Sequence, residues 1–403
     1  MLLSGHTVLD FGGWRAALTG KILSELGADV ILVEDLRGRP ARRHPPFASA
    51  AEKPDASSAS FIAYSAGKRS LALDFSAPGA REVITNLVRQ ASFIVESLPS
   101  TSVSDLGLTA EDVQEANSRV ILVSVTAFGR QFVDELLEGA DSLSVAATSG
   151  FLYTTGTPDR PPVNVAGDQP FLHASSYAAT GALLAHRSRR QTGHGGHVDV
   201  SAQEAMELTL GPVMPAWQVD QRISKRVGNS LPGREHPRSA HRTADGWVTF
   251  SAVLGRPERV IAWMAERGEP GTEELREMIG DGLDTQRDSD EKLKAIEEKF
   301  EVFLSKITRK EAWEAALERR FMMFPVNSVE DMVASPIHAD RCFFSDQALE
   351  HNPAVLYPSR LIPGVPSRSR MRVESLGEST FEVLRQFGFD EASIEGLWRN
   401  GTI

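Results

Sequence analysis

Short runs of aliphatic and β-branched residues alternate with helically spaced apolar positions through the first hundred or so residues. Residues 7–11 (TVLDF) predict a buried strand. Leu18, Ile22, Leu23 and Leu26 then repeat at helical spacing and stop at Gly27. Residues 29–34 (DVILVE) predict a second strand and 71–75 (LALDF) a third. Val83, Ile84, Leu87 and Val88 mark the next helix, and 93–96 and 120–125 two further strands. Between those strands, Thr109 and Asp112 have the spacing of a helix-capping pair. Near-continuous apolar strands alternating with amphipathic helices predict an α/β fold, its parallel sheet covered on both faces.

The pattern changes further along. Residues 171–218 are helical and rich in small side chains, broken by the turn-forming TGHGG at 192–196, and 247–252 predict a strand. From 256 to about 320 the helices are short and charged. One carries Leu293, Ile296, Phe300, Leu304 and Ile307 on one face, and the next opens with a capping pair, Thr308 and Glu311. Pro358, Pro363 and Pro366 mark an extended crossing before two closing helices near Phe381–Phe387 and Glu391–Trp398.

Composition narrows the function classes. A formal charge of −11 disfavours nucleic-acid binding, which needs clustered cations. No stretch is apolar for long enough to predict a membrane span. The opening MLLSGHTVLDFGG lacks the basic-then-apolar pattern of an export signal, and the single cysteine, Cys342, allows no internal disulfide; both predict a cytoplasmic protein.

Several motifs offer chemistry, each beside a plainer reading. The first strand–turn–helix ends its second strand at Glu34, but its turn, FGGWRAAL, lacks the glycine spacing of a dinucleotide site. Gly67-Lys68-Arg69-Ser70 resembles the end of a phosphate loop, yet the earlier glycine is missing and a strand follows. His194, His197 and Asp199 have metal-ligand spacing, but they sit in a glycine-rich turn entering a strand, so no metal is assigned. At Cys342 no thiol nucleophile is assigned. Asp168, in AGDQPF, reads as a helix N-cap before Pro170. A helix start also favours an ionised carboxylate, the form a nucleophile needs, and free Asp has a pKa of about 3.9.

VLDF (8–11), LGADVILVE (26–34), GKRSLALDF (67–75), ASFIVES (91–97), VILVSVTAFG (120–129), ATSGFLYTTG (147–156), AGDQP (166–170), TGHGGHVDVS (192–201), TADGWVTFSA (243–252) and LGESTFEVLRQFGF (376–389) occur in that order. Together they resemble the class III CoA-transferases, the family of formyl-CoA transferase and carnitine CoA-transferase. The resemblance implies a Rossmann-like large domain from 1–221 and 326–403, with a smaller α+β domain inserted at 222–325. It also implies two subunits interlocked as rings, as a homodimer or a heterodimer with a paralogue. The implied chemistry is transfer of CoA from an acyl-CoA to a carboxylic acid, with Asp168 as nucleophile. CoA is then a substrate, and no cofactor is held permanently. By the same resemblance Arg15, Arg37, Arg39, Lys68, Arg69, Leu73, Ser97, Leu98 and Leu106 are candidate CoA contacts.

The chain departs from the family at several of these places. Asp35 stands where a cation is common, Asp105 and Glu138 where CoA-contacting arginine and lysine align, and Ala140 where a tyrosine aligns. The first-helix glutamine is Arg15, followed by Ala16-Ala17-Leu18, and the asparagine before the Lys-Arg-Ser strand is absent. Two other readings therefore stand beside an active transferase. One is a non-catalytic or weakly active subunit paired with a catalytic paralogue. The other is an enzyme resembling α-methylacyl-CoA racemase, which needs a second acid/base where this chain has Ala140. Trp14, Phe128 and Trp247 are candidates to wall an acyl pocket.

Overall fold

The computed structural model describes residues 1–47, 58–132, 134–230, 236–251, 256–284, 287–345, 357–358 and 372–403. Pro363 and Pro366 lie outside the described residues. The chain divides into two compact units, one of Met1–Ser149, Val165–Thr209 and Pro336–Ile403, the other of Gly150–Asn164 and Leu210–Ser335.

The first unit is built on six parallel strands: β1 (Thr7–Phe11), β2 (Asp29–Glu34), β3 (Arg69–Ala72), β4 (Phe93–Glu96), β5 (Ile121–Thr126) and β6 (Gly196–Ser201). Their spatial order is β3-β2-β1-β4-β5-β6. Chain direction across the sheet therefore reverses between β1 and β4, whose last residues, Phe11 and Glu96, are register partners. A crevice opens outside the strand ends at such a switch point, and ligands of open α/β sheets bind there. β3 begins and ends a little earlier than the apolar run suggests; Leu73 still bonds from its N–H to the Glu34 carbonyl at 2.8 Å.

Strand alternation sends side chains to two cores. Leu9, Phe11, Ile31 and Leu71 pack with Ile84 and Leu87 on one face. Val8, Val30, Phe93 and Val95 pack with Leu23, Phe171 and Ala178 on the other. Among the described residues, nine α-helices fall in the first half of the chain. They are α1 (Ala17–Glu25), α2 (Ala59–Ser65), α3 (Ala80–Val88), α4 (Ser100–Asp105), α5 (Ala110–Ala116), α6 (Glu135–Glu138), α7 (Ser142–Thr148), α8 (Phe151–Thr154) and α9 (Gln169–Thr192). α3 buries the predicted Val83, Ile84, Leu87 and Val88, and Thr109 caps α5 by accepting from the Asp112 N–H. In α1 the buried face differs from the expected one: Lys21 and Glu25, paired at 2.6 Å, are buried, while Leu18 and Ile22 are only half-buried. The closing helix Thr380–Gln386 returns to the sheet, where Thr380 Oγ1 accepts from the Ala72 N–H at 3.0 Å.

The second unit holds an antiparallel sheet, β7 (Ala240–Thr243), β8 (Gly246–Phe250) and β9 (Met323–Pro325). Its core joins Val248 and Phe250 to Ile296, Phe300, Leu304 and Ile307, the apolar face read from the sequence. The capping box of Thr308 and Glu311 is present. This unit extends beyond the expected 222–325 because hydrogen bonds tie flanking segments to it. The Gly228 N–H donates to the Gly156 carbonyl at 2.9 Å, and Arg309 pairs with Asp331 at 2.6 Å.

Candidate active site

Asp168 stands at the head of α9 and is exposed. Gly167 before it has φ +82°, a left-handed conformation that side-chain-bearing residues resist. Asp168 itself has φ −84° and ψ 53°, outside the extended region usual for an N-cap, and its side chain makes no capping bond. The cap expected from sequence is thus only positional. The carboxylate instead accepts a hydrogen bond from the Ser142 hydroxyl, Oγ to Oδ1 2.9 Å. Ser142 is the first residue of α7, whose own cap is Asp141, accepting from the Ser144 N–H at 2.8 Å. That bond, with a second from the Ser144 hydroxyl, holds the Asp141 carboxyl below its usual range. Asp141 is spent on its helix, whereas the Asp168 side chain makes no capping bond.

A cavity of ≈ 310 Å³ opens beside Asp168. Gly13 and Trp14 after β1, Ala17 of α1, Leu32 of β2, Arg39, Pro40, Ala41 and His44, and Ser60, Phe61 and Tyr64 of α2 line it. Trp14 stacks edge-on against Phe171 with centroids 4.8 Å apart. Burial, and then the charge of Asp168, push the Tyr64 phenol above its ordinary pKa.

The cavity's inner wall is charged. Lys68 Nζ lies 2.7 Å from Asp10 Oδ2, both wholly buried, and also donates to the Ala17 carbonyl at 3.1 Å. Arg39 donates to the main-chain carbonyls of Asp10 and Val33, at 2.5 and 2.9 Å, and its second amino group is 3.9 Å from Asp10 Oδ1. Burial pulls the Lys68 pKa down and Arg39 adds to the fall, with Asp10 opposing both. Behind them Arg42 forks onto Glu34, at 2.8 and 2.6 Å.

Of the candidate CoA contacts, Arg39 and Lys68 thus share a cavity with Asp168. Arg15 and Leu98 line a separate cleft with Phe128 and Glu138. There Arg15 donates to the Ala140 carbonyl at 2.8 Å and lies over Phe171. Burial, and repulsion from Arg130, lower its pKa. Glu138 accepts from the Ser100 N–H at 3.1 Å. Ser97 donates to the Gly12 carbonyl. Arg37 is exposed and paired with Asp35 at 2.8 Å. Arg69 is tied to Asp29 and Gln386, at 2.5 and 2.6 Å, away from the cavity. Leu73 and Leu106 are packed in the core, where the strand and helix ends place them, so neither offers a surface to a ligand. Of the proposed acyl-pocket aromatics, Trp14 lines the Asp168 cavity; Trp247 belongs to the second unit.

His197 bonds to the Ser124 hydroxyl at 2.8 Å, and Asp199 accepts from the Arg130 N–H at 2.8 Å. Among the described residues, the cluster with metal-ligand geometry is another one, His241, Glu297 and Glu301 in the second unit. Arg238 and His236 already approach Glu297 at 2.5 and 2.9 Å. Ser142, Tyr64 and Phe61 had no signal in sequence, since nothing local connects them to Asp168.

The CoA-transferase family III model matches residues 3–369. The chain belongs to this family. Succinyl-CoA:(R)-benzylsuccinate CoA-transferase subunit BbsE of Thauera aromatica is 30% identical over 99% of this chain and 98% of that protein. The succinate–glutarate CoA-transferase of Agrobacterium fabrum is 28% identical over 99% and 97%. A CaiB/BaiF family protein of Brucella suis shares the fold, with TM-score 0.81 and 22% identity over 95% of this chain and 98% of that one. The six-stranded parallel sheet with its small antiparallel companion is thus a CoA-transferase family III architecture. Among the described residues no helix is long and apolar enough to cross a membrane.

Proposed function

We propose that this CoA-transferase family III member moves CoA from succinyl-CoA, or a related acyl-CoA, to an organic acid, with Asp168 as the covalent carrier. The observation that carries the reading is an uncapped carboxylate at a helix head, steadied by Ser142 and facing a cavity of ≈ 310 Å³. Succinyl-CoA is the suggested donor because it stands in the name of a relative aligned along nearly the whole chain.

In the first step an Asp168 oxygen bonds to the thioester carbonyl carbon and the C–S bond breaks, giving a mixed anhydride and free CoA thiolate. The thiolate attacks the Asp168 carbonyl of that anhydride and releases the donor acid, leaving an aspartyl-CoA thioester. The acceptor carboxylate displaces the thiolate to form a second anhydride. Attack of the thiolate on the acceptor's carbonyl yields the new acyl-CoA and restores Asp168. Each step exchanges one acyl bond for another, so neither ATP nor metal enters the balance. The positive end of α9 favours negative charge beside Asp168, in the resting carboxylate and in each tetrahedral oxyanion.

CoA itself is read along the C-terminal strand ends, with exposed Arg37 and half-buried Arg15, Ser97 and Leu98 as the contacts that keep reach to solvent. A dimer, with itself or a paralogue, in the cytoplasm completes the proposal; the Thauera relative is itself described as a subunit. That description, with Asp35 and Glu138 at expected cationic positions, favours one second reading, a subunit that needs a catalytic partner. Transfer assays with succinyl-CoA and a panel of acids test the choice. Turnover by the isolated chain, abolished in Asp168→Ala, supports the transferase; turnover that survives in Asp168→Ala when a paralogue is added supports the subunit.

A further inference from the structure

The wall of the Asp168 cavity carries more positive charge than its buried carboxylates neutralise. Outside the lining, Lys21 pairs with Glu25, and Arg42 with Glu34, each at 2.6 Å. Asp10, wholly buried, is left to serve both Lys68 at 2.7 Å and Arg39 at 3.9 Å. Among the described lining residues, two cations, Lys68 and Arg39, thus share one buried carboxylate. Arg39 and Lys68 both line the cavity.

Arg39 is the cation with capacity to spare. One of its amino groups is fixed by two main-chain carbonyls, while the other reaches Asp10 only at 3.9 Å. A guanidinium has five donors in a planar fork suited to a carboxylate. Asp168 balances the surplus while it is ionised. Once acylated, Asp168 is a neutral anhydride, and the wall's extra charge has no counterpart unless the substrate brings one. Trp14, Leu32, Pro40 and Phe61 give the lining apolar surface, beside the uncharged polar groups of Ser60, Tyr64 and Ser65 and the His44 imidazole. At about 30 Å³ for each water-sized group, the cavity holds about ten non-hydrogen atoms. That is room for a short acyl chain and a terminal group.

We infer that the cavity is an acyl pocket for dicarboxylic acids, in which one carboxyl reacts at Asp168 and the distal carboxylate is read by Arg39. The inference rests on the transferase reading above and deepens it. Arg39, a candidate CoA contact by resemblance, is reassigned to the acyl group. Lys68 supplies field rather than contact, its charge being held by Asp10.

The test compares acylation of the whole protein by succinyl-CoA and by isocaproyl-CoA, in which an isopropyl group replaces the distal carboxylate. Hydroxylamine trapping and intact mass read the rate. The wild type is expected to favour succinyl-CoA about tenfold to a hundredfold, the range of a hydrogen-bonded charge pair. In Arg39→Gln the ratio falls at least about tenfold, and Arg39→Lys restores part of it. Equal rates in the wild type, or an unchanged ratio in Arg39→Gln, overturn the inference and leave the transferase reading standing. An adduct from neither thioester overturns the transferase reading itself. Should Arg39→Gln fail to fold, inhibition of wild-type acylation by free succinate and free isocaproate decides, and equal inhibition sinks the dicarboxylate subsite.

Discussion

Replacing Gly20 with alanine sets a local gain against a buried loss. Gly20 lies inside α1, where alanine gains about 1 kcal/mol of helix propensity over glycine. A β-carbon there, however, would sit 2.1 Å from Asp10 Oδ2 and 2.8 Å from Lys68 Nζ. Neither neighbour has room to retreat. Asp10 is wholly buried and held by the Gly12 N–H at 2.8 Å, and Lys68 is enclosed by Asp10 and the Ala17 carbonyl. The methyl group must part the ion pair or push α1 off the sheet. Breaking a buried pair costs about 3–5 kcal/mol, so the net effect is a loss of about 2–4 kcal/mol despite the better helix former. Equilibrium urea denaturation measures it, with hydrogen exchange at β1 amides reporting the sheet's own opening. Gly20→Ala and Lys68→Met should be strongly non-additive, because both abolish the same contact. A Gly20→Ala protein as stable as the wild type, or more so, would refute the packing argument.

Three further outcomes follow from the geometry. Ser142→Ala removes the hydrogen bond that orients Asp168 and should slow acylation about tenfold to a hundredfold, the kinetic equivalent of about 1.5–3 kcal/mol; trapping rates equal to wild type would deny the positioning role. Asp168→Asn removes the negative charge that, after burial, raises the Tyr64 phenol, so Tyr64 should ionise at lower pH; ultraviolet titration against a Tyr64→Phe control shows the fall or its absence. Asp331 is held at about 2 by its bonds from Arg309 and Ser328, below its ordinary value. Its stabilisation is therefore complete above the unfolded pKa of about 3.9 and lost as pH falls through the folded one. Acid unfolding of Asp331→Asn should differ from wild type at neutral pH and converge with it below that window.

The sheet was readable because its strands are short, apolar and buried on both sides. DVILVE and FIVE leave few other choices, and the two runs match β2 and β4 residue for residue. β6 was harder, since GHVDVS alternates exposed and half-buried positions at the sheet edge. The site was legible only at Asp168. Its hydroxyl partner is 26 positions away, and the Asp10–Lys68 pair spans 58. Such partners follow from the parallel crossovers, which no local pattern encodes. The capping signature at Asp168 was read correctly as a helix start, yet its ψ of 53° turns the side chain from the backbone to Ser142. Leu73 and Leu106 show the opposite limit: resemblance marked them as contacts, while the apolar faces of their own elements claim them for the core.

The central claim is that Asp168 carries the acyl group. Isotope exchange tests it without knowledge of the natural acceptor, by incubating the protein with succinyl-CoA and ¹⁸O-labelled succinate. In the anhydride route the oxygen bridging acceptor and aspartate stays on Asp168 when the new thioester departs. The peptide containing Asp168 should therefore gain ¹⁸O within the first few turnovers and level off at no more than two heavy atoms, and other carboxylates should not. Labelled succinate converted to labelled succinyl-CoA with no heavy oxygen at Asp168 would contradict the account.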